Sequence, residues 1–468
     1  MENTDDKEYL KKGQKIPIKE KLSFGVGILA NTIIAGIVSL YLLDYFVNEV
    51  KLDLELFVIA NIIFLFYNAV NDVIFGFYSD RSTHKLGRRI PYIRYGAFLF
   101  VISFLIFWFP LPGYNDPAMG QIIIFLQLLF GLLFYDTMLT IVVLSIVSLP
   151  PEMSESTEQR ASISFYNTIF TLIGGISIFI VPLLFNLGLD IFRTFTLIIG
   201  VIALICFIIL SYGVKERKEL HSQDELGREN ILREIIQTFK NRSFISFLIF
   251  NFSNVFMTTL ALNYTPIFGL IFRIDDIDTI VLLIFYMGFI ISLPFYLIFI
   301  KRIDMRKIIL KMTVFVSLAI FILFLFDLLT GISEVYWIIF VLNGMMMGMN
   351  IFYYPFISDA IDVDELNTNR RREGMHFGMN ALITKPAEQL PAIIGGWILI
   401  MTNYEQGGSG MVQPISAILG LKFLVAIVPL IFALLTILSQ LLNPLKGAKL
   451  IRMKEEILIL HKEKEKNA

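Results

Sequence analysis

Apolar runs long enough to cross a bilayer recur along the whole chain, and no other feature restricts its fold as much. They cover residues 24–47, 54–78, 91–112, 119–149, 161–185 and 190–213, then 244–271, 278–300, 308–329, 334–358, 375–402 and 418–441. A spanning helix needs about 20 mostly apolar residues. The pattern predicts an all-α polytopic membrane protein with twelve transmembrane helices. Of the 468 residues 56% are hydrophobic and only 17% charged, too few to cover a water-soluble protein of this size. The first 20 residues lack the apolar core of a signal peptide, so the first run is expected to stay as a helix. The single cysteine, Cys206, lies inside an apolar run, which excludes an intrachain disulfide and a thiol metal site.

The runs fall into two groups of six. Residues 1–213 form an N-terminal half with its tail, 214–243 a charged linker, 244–441 a C-terminal half and 442–468 a tail. Connections on the side of the N-terminus carry 32 Lys and Arg residues, against only Lys51 and Arg273 on the other side. By the positive-inside rule both termini and the linker are expected in the cytoplasm, in a multi-pass protein of the cell membrane. Six-plus-six halves with a substrate site between them near the midplane are a recurrent transporter plan. Two loops repeat one theme: Pro151-Glu152-Met153 precedes Arg160, and Asp359, Asp362, Asp364 and Glu365 precede Arg370-Arg371-Arg372. Two polar segments read as amphipathic helices on the membrane surface or against the bundle. One has Leu232, Ile235, Ile236 and Phe239 on a face; the other has Leu450, Met453, Ile457 and Leu460.

An ionised side chain at mid-membrane costs at least about 2.5 kcal/mol and must face a cavity or a partner. Asp72 lies one turn after Asn68 and next to Asn71; such a carboxylate beside amide oxygens could take a proton or a small cation, or brace two helices. Lys385 and Glu388 share a face of the eleventh run; Lys385 could answer Asp72 across the halves, or neutralise Glu388 locally. Pro386 and Pro391 are expected to bend that helix. Asp136, near the middle of the fourth run, could bind substrate or hydrogen-bond to a neighbouring helix. Asp44, Asp327 and Arg94 sit nearer helix ends, where an interfacial position is expected. Asn251, Asn254, Asn263, Asn343, Asn350, Tyr353 and Tyr354 are expected to supply uncharged polar groups to an interior path. Small residues such as Gly344, Gly348, Gly395 and Gly396 would permit close helix approach.

No enzyme constellation emerges. His84, His221, His376 and His461 have no metal-ligand spacing, no phosphate loop is present, and nothing points to nucleic acid. Any uphill transport has to draw on an ion gradient.

Gly76, Asp80, Arg81, Gly87, Arg88 and Arg89 form a string that resembles the loop between helices two and three of the major facilitator superfamily. KLSFGVG at 21–27, the NDxxxGxxxDR and GRRxPY strings, PEM before Arg160, and SDAIDVDELNTNRRREGMHFG leading to Lys385 make the resemblance narrower. Together they are similar to the glycoside–pentoside–hexuronide:cation symporters, typified by melibiose permease. The resemblance covers nearly the whole chain. It implies a major facilitator fold and alternating access, usually moving sugars with Na+, Li+ or H+. It places Asp72 and Thr140 in the family's cation site and Lys385 on its helix-eleven lysine. Asn68 replaces the other cation-site aspartate, Thr32 and Val143 stand where melibiose permease has sugar-binding aspartates, and Asn167 stands in place of an arginine.

These features together lead to the expectation of a monomeric secondary transporter in the bilayer, without a cofactor, moving a small organic solute such as a sugar or glycoside. Coupling is expected to H+ rather than Na+, since one lone carboxylate makes a weak Na+ cage. Asp72, Asn68, Thr140 and Lys385 are the coupling candidates; Thr32, Asp136, Asn167, Asn254, Asn350 and Glu388 are the candidates for the substrate cavity. The alternatives are an amphiphile such as a lysolipid, another non-sugar solute, or a non-transporting sensor or scaffold.

Overall fold

The computed structural model describes residues 15–82, 84–116, 119–154, 156–178, 188–216, 231–268, 278–404 and 413–467. His221, Arg273 and the side chains of Asp44, Leu232 and Asn263 lie outside the described residues. Long helices occupy the places of the apolar runs. The first six are α1 (Ile18–Leu43), α2 (Leu54–Ser79), α3 (Ile90–Ile106), α4 (Gly120–Leu139), α5 (Thr157–Ile178) and α6 (Leu189–Gly213). A short linker helix, α7 (Ile231–Lys240), precedes α8 (Arg242–Phe268), α9 (Asp278–Ile300), α10 (Met305–Thr330) and α11 (Tyr336–Met347). Then come α12 (Tyr353–Thr368), α13 (Glu373–Met401), α14 (Ile415–Leu442) and the C-terminal α15 (Ala448–Asn467). Among the described residues, eight helical stretches are long and apolar enough by length and composition to cross a membrane.

Two helices at equivalent places of the halves lose their regular winding. After α4 the chain makes a π-turn, Thr140–Leu144, before returning to α-helix. A 3-10 turn, Gly348–Phe352, joins α11 to α12. Such irregular turns re-aim side chains and are frequent at functional sites; here they carry Thr140 and Asn350. In α13 the helical winding continues through Pro386 and Pro391.

Within the first set of helices α1 packs on α5 and α6, and α3 on α4 and α6. In the second, α8 packs on α13 and α14, and α9 on α11. The sets meet through α2 against α13 and through α5 against α9 and α12. The α2–α13 crossing brings backbones together, because Gly76, Gly374 and Gly378 present no side chain there. A Cβ on Gly378 would lie 2.6 Å from the carbonyl oxygen of Asp72. Small residues are what allow such an approach between lipid-embedded helices.

Both amphipathic helices sit at one end of the bundle, termed here the linker end. In α15 Met453 and Ile457 are buried against the bundle. In α7 the inward face is polar, with Glu234 and Thr238 buried, while Ile236 and Phe239 are exposed.

Asp327, in the last turn of α10, is 3% exposed, because Lys422 of α14 reaches both its oxygens at 2.7 and 2.9 Å. Ser333 and Tyr336 complete its shell. Arg94 stays partly exposed, stacked 3.9 Å over Tyr212 and donating to the carbonyl of Ser211.

Candidate functional site

In the last third of α2, Asp72 stands at the centre of a hydrogen-bonded chain that joins three helices and both halves. Its Oδ2 lies 2.8 Å from Nζ of Lys385 on α13. Its Oδ1 accepts from the hydroxyl of Thr140 at 2.7 Å. Thr140 in turn accepts from Nδ2 of Asn71 at 3.0 Å, and the same nitrogen donates to Oδ2 of Asp136 at 2.9 Å. Lys385 also donates to the backbone carbonyl of Asn68 at 2.7 Å and to its side-chain oxygen. Three oxygens thus converge on one ammonium.

The sequence put Asp72, Asn68, Thr140, Lys385 and Asp136 on the list, and the structure brings them into contact. Asn71 is the link the sequence did not rank; its amide is what connects α2 to Asp136, so the hydrogen bond to a neighbouring helix is the contact observed there. Lys385 does not pair with Glu388 but crosses to the other half. The pair is half sheltered: 13% of the Asp72 side chain and 30% of the Lys385 side chain remain exposed.

The other cavity candidates lie apart. Thr32 turns its hydroxyl back to the carbonyl of Ile28. Asn167 is half-buried on α5. Asn254 donates to Asn350 at 2.6 Å, and Asn251 to Asn380 at 2.9 Å, so these amides brace α8 against the 3-10 turn and α13. Glu388 is exposed. A cavity bordered by Met257, Met346, Met347, Phe285, Phe340 and Leu424 sits within the second set, but its room of about 20 Å³ holds little more than one water. Among the described residues no group of His, Cys, Asp and Glu could hold a metal ion.

At the linker end the loop motif becomes a network. The carboxylate of Asp80 accepts from the backbone N–H groups of Gly374 and Met375, both at 2.8 Å. These are the orphan donors at the start of α13, where the helix dipole also favours a negative charge. Arg89 pairs with Asp80, with Glu152 at 3.3 Å and with Glu373 at 3.4 Å. The duplicated loops meet reciprocally. Arg160 bonds Asp362 at 2.9 Å, while Arg371 donates to the carbonyl of Pro151 at 2.9 Å. Arg88 adds a bond to the carbonyl of Arg371. From the linker, Glu234 takes Arg81 at 2.6 Å and Arg370 at 3.3 Å. From the tail, Lys454 takes Asp359 and Asp362, and His461 and Lys464 take Glu365.

Gly87, at φ +115°, turns the chain so that the N–H groups of Arg88, Arg89 and Ile90 all point to Glu216. Glu216 therefore caps α3 from the linker. Its burial, with the nearby charge of Glu152, pushes its carboxyl up to about 7 against the pull of those N–H groups.

Residues 23–446 match the model of the family described as MFS/sugar transport protein. The chain is 28% identical over 428 residues to Transmembrane protein 180 of Gallus gallus, covering 82% of this chain and 80% of that one. It is 25% identical over 447 residues to the uncharacterized symporter YnaJ of Bacillus subtilis, covering 91% of each. Its fold is that of the fucose:proton symporter of Escherichia coli, with a TM-score of 0.60 at 13% identity over 89% of this chain and 97% of the other.

Proposed function

This chain belongs to the MFS/sugar transport protein family, and from that premise we propose that it carries a small organic solute, such as a sugar or glycoside, in symport with protons through Asp72. It is a polytopic membrane transporter of the major facilitator fold. The observation that carries the finer reading is the bridge from Lys385 to Asp72 between the two halves.

An ion pair that spans the moving interface couples charge to conformation. While Lys385 occupies the Asp72 carboxylate, α2 and α13 are held together at this level. A proton on Asp72 cancels the attraction and frees the ammonium, which favours the state in which the helices part. Sodium is the poorer competitor, since Asn68 leaves one carboxylate for a cage whose oxygens the ammonium already holds. The linker end is the cytoplasmic one in this proposal, supported by the 32 Lys and Arg residues on that side. The protein works as a monomer in the cell membrane.

Proteoliposomes given an inward pH gradient, or separately a Na+ gradient, test this against a panel of sugars and glycosides. Accumulation driven by pH and lost in Asp72→Asn is the expected result. Accumulation that follows Na+, or survives Asp72→Asn, overturns proton coupling. A second reading, transport of an amphiphile or other non-sugar, is favoured by Thr32, Val143 and Asn167, uncharged side chains at three positions where the resemblance expects charged groups that grip sugar hydroxyls. Stabilisation of the purified protein by lysolipid and not by sugars would favour it over the first.

A further inference from the structure

We infer that Glu388 is a recognition residue for a positively charged group on the transported solute, so that the solute class is a protonated amine. This rests on the reading of the chain as a transporter and narrows what it carries.

Glu388 lies in the middle of α13, far from either end of that helix. It sits three residues beyond Lys385 on the side of α13 whose Gly374 and Gly378 touch α2, within electrostatic reach of both Lys385 and Asp72. Yet its side chain is exposed, and no described residue bonds to it. The other charges at this depth are all committed. Asp72 and Lys385 hold each other. Asp136 accepts from Asn71.

The charge balance decides what such a group can meet. Asp72 and Lys385 cancel, which leaves Glu388, together with Asp136, on the negative side. While water reaches Glu388 its charge costs little. Alternating access requires the cavity to close around the cargo, and closure removes that water. A neutral polyol would donate hydrogen bonds but leave the carboxylate's charge uncompensated in a dry site, where burial is expensive. An ammonium supplies both the donors and the charge. Closure is then favoured only when the cation is aboard. A proton on Glu388 would balance the charge as well, and is the competing assignment.

Purified full-length protein at pH 7 is titrated by thermal shift with matched pairs: glucosamine against N-acetylglucosamine, and ethanolamine against ethylene glycol. The expected result is stabilisation by an amine and not by its neutral partner, with apparent affinity weakened about 10- to 100-fold in Glu388→Gln. Equal response to both members of each pair, response to neither, or an unchanged Glu388→Gln overturns the inference. If Glu388→Gln instead alters the pH dependence of uptake and leaves solute preference intact, Glu388 is a proton site and the inference also falls. Should Glu388→Gln fold poorly, Glu388→Cys in a Cys206→Ser background replaces it. Cationic methanethiosulfonate should then restore no amine preference, and anionic methanethiosulfonate should restore it; the reverse sinks the proposal. Failure here with intact pH-driven uptake leaves proton coupling through Asp72 standing, so the two ideas fail separately.

Discussion

The linker-end network and the Asp72 site are both made of carboxylates and basic side chains bridging the two halves, yet they are built to opposite ends. At the linker end Arg89, Arg160 and Arg371 are each 2% exposed or less, and each meets more than one acceptor. At the Asp72 site one lysine meets a single carboxylate and the two oxygens of Asn68, and both charged groups keep some exposure. A planar guanidinium among several fixed acceptors has little to gain from exchanging any of them. A single ammonium on a flexible stem can be displaced by one proton. The first arrangement suits holding a closed end; the second suits a partner that has to change.

That contrast can be broken by mutation. Arg89→Ala strips a shared cation from Asp80, Glu152 and Glu373, all buried. Loss of one partner from such a cluster costs about 3–5 kcal/mol, so thermal unfolding of the purified protein should shift down by several degrees. A drop no larger than that of Asp72→Asn would erase the distinction between the two regions. Asp327→Asn separates a structural pair from a working one. It leaves Lys422 buried with a neutral partner, an expected loss of about 2 kcal/mol, while pH-driven uptake per folded molecule stays unchanged. Uptake abolished by Asp327→Asn would mean that the isolated pair of the second half also works in transport.

A further expected effect is a pH dependence at the linker. Because the folded protein raises the carboxyl of Glu216 from 4.5 to about 7, its contribution to stability is fully present below pH 4.5 and is lost as pH rises through about 7. Thermal stability should therefore decline slightly between pH 5 and 8, and Glu216→Gln, which keeps an oxygen for the N–H groups of α3, should flatten that decline. A wild-type profile that rises over this interval would contradict the assignment.

Helix number and the loop motif were readable in the sequence because each depends on local pattern: run length for the helices, and the spacing of Gly76, Asp80 and Arg89 for the loop. Asp72 and Lys385 were readable as individuals, since a charge inside an apolar run is conspicuous, and Thr140 through the family resemblance. The contact of Lys385 with Asp72 was legible only as one of two options, because which one forms depends on the α2–α13 crossing, and the link to Thr140 depends on the π-turn that carries it. Asn71 was noted beside Asp72 but given no site role, because an amide costs less in a helix than an acid and so draws less notice. The partner of Asp327 was not legible, because Lys422 lies 95 residues away in sequence. Glu216 and Glu234 looked like ordinary linker charge until the fold set each against arginines or N–H groups of the loop motif.

The central claim is that the Asp72–Lys385 pair couples a proton to the movement of the two halves. The most direct test compares wild type with Asp72→Asn/Lys385→Gln in proteoliposomes, measuring solute exchange at equal concentrations and accumulation under a pH gradient. Removing both charges leaves a neutral, hydrogen-bonded contact, so exchange should persist while accumulation disappears. If the double variant still concentrates solute when the pH gradient is applied, the pair is not the coupling element and the account is wrong.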